Sequence, residues 1–508
     1  MANFVEKETE ETTKFIKVIP PKDVPTIDII QKTTGDLGRW HIAMCIIICL
    51  VKFPVAWLQL SIVFLAPPTT FTCVDNSTDQ CSQNCTAHEF DRSTFTETII
   101  TEWDLVCDRA YLANLAQTVT MLGILFGNCL FGYLSDKFGR RNPLICAVVL
   151  QVICGIGAAL SPWFVMFLVM RLVAALATGG SMVMSFVLVM EIIGLKWRTM
   201  FGILYQIPFN LGHGTLPLFA YFLRDWRHFH LAITVPVVLL FSYYWILPES
   251  PRWLLTVGRK EQAIRVLEKA ARHNRQPSAT VRDDVDLHMQ KRPQNQESGN
   301  ALDLVRTPIM RTYTVCIGYN WFVCGLCFFG GAQYIGQLGG DIFINVALSA
   351  VIQIPSSFFA IWALKSWGRK RTLVFSNLVA GGSCLLIGVV PPEAAWIRSA
   401  LSCADMFALA ICFVTCYIFS GELFPTVVRN VGVGTASMFA RLGSMAAPFV
   451  AGLVLVEAWL PPIIFGVVPL IGAVLCFLLP ETLDCKLPDT VEEAESIALK
   501  KPETEEKK

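Results

Sequence analysis

Two cations stand where an apolar solvent would penalise them. Lys52 lies in the apolar run 41–66 and Arg441 in the run 431–456. Each is about ten residues into its run, roughly 15 Å deep at the helical rise. A charge at that depth must face a partner or a wet chamber rather than lipid tails. An arginine there can hold a carboxylate through two parallel hydrogen bonds. A lysine offers a point charge, or snorkels toward the surface on its long stem. No Asp or Glu occupies the middle of a run: Glu191, Glu422 and Glu457 fall at run ends, and Asp405 in 400–420 is the nearest candidate. The chamber is therefore expected to be positive or balanced. The competing expectation for Arg441 is a structural pair with Asp405 or with a backbone carbonyl.

The elements that must position these residues are membrane helices. Of the 508 residues, 54% are hydrophobic and 16% charged, and the formal net charge is +1. Globular domains carry about 45–50% apolar residues with glycine counted. A near-neutral chain lacks the basic face that a nucleic-acid partner needs, so none is expected. The apolar residues come in long blocks rather than at periods of 2 or 3.6. A span needs roughly 20 apolar residues to cross a core of about 30 Å. Twelve such blocks are readable, from 41–66 to 461–479. Glycine and proline inside them are tolerated by membrane helices. The first forty residues are polar, so the first block is expected to be the insertion signal. The expected fold class is all-α, a polytopic membrane protein with twelve transmembrane helices and the lipid bilayer as its solvent.

Charge sets the expected sidedness. Of the 41 lysines and arginines, 33 fall on one side of the blocks, 5 on the other and 3 within them. The Lys/Arg-rich side is the cytoplasmic one, so both termini are expected inside; the expected location is the plasma membrane. The loop 67–110 is then the long extracellular loop. It holds both glycosylation sequons, at Asn76 and Asn84, together with Cys73, Cys81, Cys85 and Cys107. Sequons and paired cysteines both suit an oxidising face. Two disulfides are expected, with three pairings open. The other fourteen cysteines read as small packing residues rather than metal ligands.

The chain repeats itself. Asp136-Lys137-Phe138-Gly139-Arg140-Arg141 follows the second block, and Lys365-Ser366-Trp367-Gly368-Arg369-Lys370 follows the eighth. Glu191 and Arg198 recur as Glu422 and Arg429, and Pro248-Glu249 recurs as Pro480-Glu481. The offsets are 229, 231, 231 and 232 residues. Six-span repeats begin and end on the same side, an arrangement of carriers whose site lies between the halves near the midplane. The expected organisation is a cytoplasmic tail at 1–40, a six-helix bundle at 41–247, a cytoplasmic linker at 248–311, a second bundle at 312–480 and a tail at 481–508. Within the linker, 261–272 has the pattern of a short amphipathic helix. Residues 276–300, and the ends 1–35 and 484–508, are polar and expected to be disordered.

Gly132-x-x-x-Asp136-x-x-Gly139-Arg140-Arg141 is similar to the loop signature of the major facilitator superfamily. Pro248-Glu249-Ser250-Pro251-Arg252-Trp253-Leu254-Leu255 narrows the likeness to sugar porters and organic-ion carriers. The cysteine-bearing loop, Glu102-Trp103-Asp104-Leu105-Val106-Cys107 and Glu422-Leu423-Phe424-Pro425-Thr426-Val427-Val428-Arg429-Asn430 favour the second. The chain resembles the organic cation, anion and carnitine transporter family along nearly its whole length, its insect members most. Two positions depart: Lys365 stands where the signature has Asp, and Tyr319-Asn320-Trp321-Phe322 replaces the paired glutamines of sugar porters.

The resemblance implies pocket roles for Gln206, Phe209, Asn210, Trp321, Phe328, Phe413 and Tyr417. Their spacing gives each helix a shared face, and such rings can hold a quaternary ammonium. Cation members carry an acid where Arg441 stands and Glu where Gln353 stands, whereas anion and carnitine members carry Arg in the eleventh span. The resemblance thus implies an organic anion or a zwitterion, such as a betaine or amino-acid conjugate. Asp136, Arg140, Glu191, Arg198, Glu249, Arg252, Arg369, Glu422 and Arg429 all fall at cytoplasmic run ends. They are expected to pair across the halves when that side closes and so to bias a two-state equilibrium.

No phosphate-binding loop and no HExxH occurs, so an enzyme is not expected, nor a cofactor. A small organic ion would move by rocking of the halves, in facilitated, exchanged or ion-coupled transport, with a monomer as the functional unit. Two other expectations stand beside it: an organic cation uniporter, and a non-transporting, receptor-like member.

Overall fold

The apolar blocks fold as helices because a backbone in hydrocarbon must satisfy its own hydrogen bonds. The computed structural model describes residues 28–74, 81, 85, 87–290, 303–425, 428–483, 485, 488 and 493–495. Twelve principal helices follow in chain order. They are α1 (Arg39–Leu60), α2 (Tyr111–Phe138), α3 (Arg141–Ala159), α4 (Phe164–Ile192), α5 (Arg198–Leu204, then Ile207–Phe222) and α6 (Trp226–Ile246). After the linker come α7 (Pro308–Tyr334), α8 (Ile342–Ser366), α9 (Arg369–Val389), α10 (Ala395–Leu423), α11 (Arg429–Gly452) and α12 (Leu460–Cys476). Among the described residues ten helices are long and apolar enough to cross a membrane; α5 is divided and α12 is shorter.

In the first half α2 and α3 pack on α4; in the second, α7 packs on α11, and α9 on α10 and α12. The two most extensive contacts between the halves are α5 with α8 and α2 with α11, and α7 also touches α1. By the repeat, α2 corresponds to α8 and α5 to α11, so the two junctions are images of each other.

One end of the bundle carries the repeated arginines, and its geometry repeats as the sequence does. Glu249 accepts hydrogen bonds from the backbone N–H of Arg140 at 2.7 Å and of Arg141 at 3.3 Å. Glu481 does the same for Arg369 at 2.8 Å and Lys370 at 3.1 Å. These N–H groups begin α3 and α9, where unpaired donors favour an anion. The preceding glycines must turn the chain there with φ of +97° at Gly139 and +87° at Gly368. A Cβ at either would lie 2.3 Å or 2.5 Å from the glutamate Oε2, so only glycine fits both the angle and the space.

The opposite end carries the cysteine loop. Strands β1 (Phe71–Cys73) and β2 (His88–Phe90) pair antiparallel, and disulfides join Cys73 to Cys85 and Cys81 to Cys107. Glu102 anchors the loop to α6, accepting from Trp226 Nε1 at 2.6 Å and pairing with Arg227. Asn76 and Asn84 lie outside the described residues.

The three segments expected to be disordered are each partly ordered. Ile29–Thr34 forms a helix whose Ile29 and Ile30 pack against Leu254, Ile264 and Leu267, while Arg252 pairs with Asp28. Val281–Gln290 forms a second helix, burying Val281 and Val285 in the same cluster. Beyond the last span, Ala494 is buried against the second half. A few apolar residues suffice because tertiary packing, not propensity, stabilises such short helices.

Candidate functional site

Prolines shape the site. Pro54 and Pro208 lack the N–H that would continue their helices, and each helix breaks just before: α1 at Leu50–Val51, α5 at Tyr205–Gln206. Lys52 and Gln206, each two residues ahead of a proline, face one another at the breaks, and Lys52 Nζ donates to Gln206 Oε1 at 3.1 Å. Interrupted helices are where membrane carriers place binding groups.

These breaks border a cavity of about 650 Å³ between the halves. It is lined by Lys52, Gln59, Met182, Phe186, Tyr205, Gln206, Phe209 and Asn210 from the first half. Phe328, Gln353, Phe413, Tyr417 and Arg441 line it from the second. It extends to Arg198, Arg369, Glu422, Thr482 and Cys485 at the arginine-rich end. At the disulfide end the halves meet through rings: Phe343 of α8 stacks on Phe64 at 5.8 Å and sits edge-on to Tyr221 of α5 at 5.5 Å.

Both membrane cations reach this cavity. Lys52 is buried, with Nζ 4.2 Å from the Tyr205 ring centroid and 5.7 Å from that of Phe209. Arg441 is partly exposed to the cavity, and its Nη2 lies 3.7 Å from the Met182 sulfur. Among the described residues neither cation forms an ion pair. Asp405 does not line the cavity; its Oδ2 lies near Gly331, in the outer packing of the second half. Of the lining acids, Glu422 stands at the mouth, held by Arg369 at 2.7 Å and Thr482 Oγ1 at 2.6 Å.

The neutral residues divide. Gln206, Phe209, Asn210, Phe328, Gln353, Phe413 and Tyr417 come together at the cavity. Asn210 crosses the halves, its Nδ2 donating to the Gln353 carbonyl at 3.2 Å, and among the described residues Gln353 Oε1 is buried without a hydrogen-bond partner. Trp321 does not line the cavity. It lies one layer behind, its Nε1 donating to Ser420 Oγ at 2.9 Å and its ring 4.4 Å from Tyr417.

Among the described residues the run-end ion pairs that form lie within each half. Arg140 binds Glu191 at 3.0 Å and Asp136 at 2.6 Å. Arg369 binds Glu422, but Lys365 offers no carboxylate, and Arg369 Nη1 takes the Leu364 carbonyl at 3.2 Å instead. Arg198 and Arg252 donate to the carbonyls of Met190 and Glu191, and Arg429 to that of Phe424. The cavity reaches this end, which keeps the two sets apart.

Two residues escaped sequence reasoning. Tyr205 was hidden because the α5 break turns its ring to Lys52; Pro208 was the available signal. Arg171 on α4 is the third cation within the spans. It is fully buried, with Nε donating to Thr120 Oγ1 at 2.7 Å and Nη2 to the Leu58 carbonyl at 3.2 Å.

The fold and the chamber between its halves define a secondary transporter. A family model described as "Sugar (and other) transporter" matches residues 44–492. The chain is 37% identical to the organic cation transporter protein of Drosophila melanogaster, over 84% of this chain and 79% of that one. It is 36% identical to solute carrier family 22 member 12 of Rattus norvegicus, over 84% and 77%. The xylose transporter XylE from E. coli shares the fold, with a TM-score of 0.67 at 17% identity over 90% of this chain and 99% of that one. The chain belongs to the sugar (and other) transporter family of major facilitator proteins, among its organic cation transporter and solute carrier family 22 members.

Proposed function

We propose that this protein carries a carboxylate-bearing organic anion or zwitterion across the plasma membrane by alternating access. The observation that carries the reading is Arg441, a guanidinium open to the cavity with no acid beside it among the described residues. Among the described residues Lys52 adds a second cation without an ion pair, and the one lining carboxylate, Glu422, is already engaged at the mouth. An anionic group would supply the missing partner, and a bidentate carboxylate suits arginine best. The rings of Tyr205, Phe209, Phe328, Phe413 and Tyr417 would hold the apolar or ammonium end.

In this reading the arginine-rich end is cytoplasmic, so both termini are inside, and the sequons at Asn76 and Asn84 are glycosylated outside. Six-helix bundles at 41–247 and 312–480 rock about the site. The paired charges at Arg140, Glu191, Arg369 and Glu422 regroup when the cytoplasmic side closes. One chain is the working unit.

Uptake of matched anion, zwitterion and cation panels, in wild type and Arg441→Ala at equal surface expression, tests it. Carboxylate-bearing solutes should be carried by wild type and lost in Arg441→Ala. A second reading, organic cation transport, rests on the aromatic lining and on the name of the Drosophila relative. Saturable uptake of a quaternary amine without an acid, unchanged in Arg441→Ala, would select it.

A further inference from the structure

Three thiols meet in the second half, behind the cavity wall. Cys324 on α7 lies 3.3 Å from Cys412 and 3.8 Å from Cys416, sulfur to sulfur, and all three sulfurs fall within 4.8 Å of one another. Each residue is fully buried. Cys412 and Cys416 are one turn apart on α10, which sets both sulfurs on the face toward α7.

A fourth donor is aimed at Cys412. Asn320 Nδ2 donates to the Cys316 carbonyl at 2.8 Å, which orients its amide. Its Oδ1 then accepts from Asn377 Nδ2 at 2.8 Å. That bond turns Asn377 Oδ1 toward the cluster, 3.6 Å from Cys412 Sγ. Such outer partners are how proteins fix metal ligands.

We propose that Cys324, Cys412, Cys416 and Asn377 form a site for a soft divalent cation of the zinc and cadmium class. Sulfurs that share one zinc at about 2.3 Å lie about 4 Å apart, close to the spacings here. Softness follows from the sulfur majority. On binding, all three thiols ionise, each forming a metal–sulfur bond and releasing a proton, so the ion and its three thiolates together carry one negative charge. The amide oxygen of Asn377 completes four-coordination as the neutral donor. Phe413 and Tyr417 each follow a ligand on α10, so the ion would fix two cavity side chains and slow transport.

The test uses full-length protein purified under inert gas without reductant, washed with chelator and titrated with Cd²⁺ alone. One Cd²⁺ per chain and a thiolate-to-cadmium charge-transfer band are expected. The band should vanish in Cys324→Ala/Cys412→Ala and persist in Cys45→Ala, whose buried thiol lies in α1. No band in wild type, or a full band in the double variant, overturns the proposal. Should the double variant fail to fold, X-ray absorption of cadmium-loaded wild type decides: a sulfur-dominated shell supports the site, and a shell of only nitrogen and oxygen removes it.

Discussion

Arg441 Nη2 rests 3.7 Å from the sulfur of Met182, so the guanidinium of α11 meets the opposite half of the protein through a thioether rather than a carboxylate. A thioether is a weak acceptor. It leaves the cation's hydrogen-bonding capacity open to whatever enters the cavity.

That contact makes Met182 the place to neutralise the site from within. Met182→Asp would present a carboxylate to Arg441 and compete with the solute. Hydrogen bonds to charged groups contribute about 1.5–3 kcal/mol, so uptake of a carboxylate solute should fall roughly 10–100-fold in kcat/KM. Met182→Leu keeps the packing and should stay near wild type. Radiotracer uptake normalised to surface protein reads both. Unchanged uptake in Met182→Asp would separate Arg441 from substrate binding.

The glutamate–glycine pairs at the arginine-rich end predict stability effects. Gly139→Ala forces a Cβ to 2.3 Å from Glu249 Oε2 at a φ of +97°. The backbone strain costs about 1–3 kcal/mol, and displacing the carboxylate also strips the first N–H groups of α3. Gly368→Ala should behave alike through Glu481. Melting temperatures in detergent should fall in both, and less in Glu249→Gln, which keeps one acceptor oxygen. A Gly139→Ala variant as stable as wild type would contradict the geometry.

Much of this was legible because membranes simplify sequence. Twelve spans could be counted since lipid demands long uncharged runs, and Lys52 and Arg441 stood out since charge is so rare there. The cavity's neutral wall was readable where a helix is continuous: Phe328 and Phe413 lie where their spacing puts them. Trp321 shares a face with Phe328 by spacing alone, yet its indole turns inward to Ser420, a choice set by a hydrogen bond on another helix. Tyr205 was illegible for the opposite reason, because a proline break redirects it. The Ile29–Thr34 helix was missed because six residues show no periodicity, and its stability comes from Leu254 and Ile264 far along the chain.

Arg171 tests how a buried cation survives without an acid. Among the described residues its Nη1 has no hydrogen-bond partner, and its other donors meet only hydroxyls and a carbonyl. Buried ions are often replaceable by apolar residues of similar volume without loss. Thr120 and Ser61 keep backbone bonds of their own, so removing the arginine strands neither. Arg171→Met should therefore fold, reach the surface and melt within about 2 kcal/mol of wild type. A loss beyond about 3 kcal/mol would mean that the guanidinium holds an essential counter-charge.

Closure at the disulfide end is aromatic, and its strength can be measured at Phe343. The ring stacks on Phe64, tilts against Phe95 at 5.6 Å and meets Tyr221 edge-on. All three partners belong to the first half and Phe343 to the second, so opening this end must separate them. Aromatic pairs contribute about 0.5–1.5 kcal/mol beyond burial. Losing them in Phe343→Ala should shift the two-state balance toward opening at this end by about 2 kcal/mol, roughly 30-fold. A cysteine introduced at Ser357, in the cavity wall, reports the shift. An impermeant thiol reagent applied from the disulfide-bearing face should label it faster in Phe343→Ala than in Phe343→Leu. Equal labelling would assign the closure to the other crossing of the halves, where Thr118 Oγ1 donates to the Met445 carbonyl at 3.0 Å.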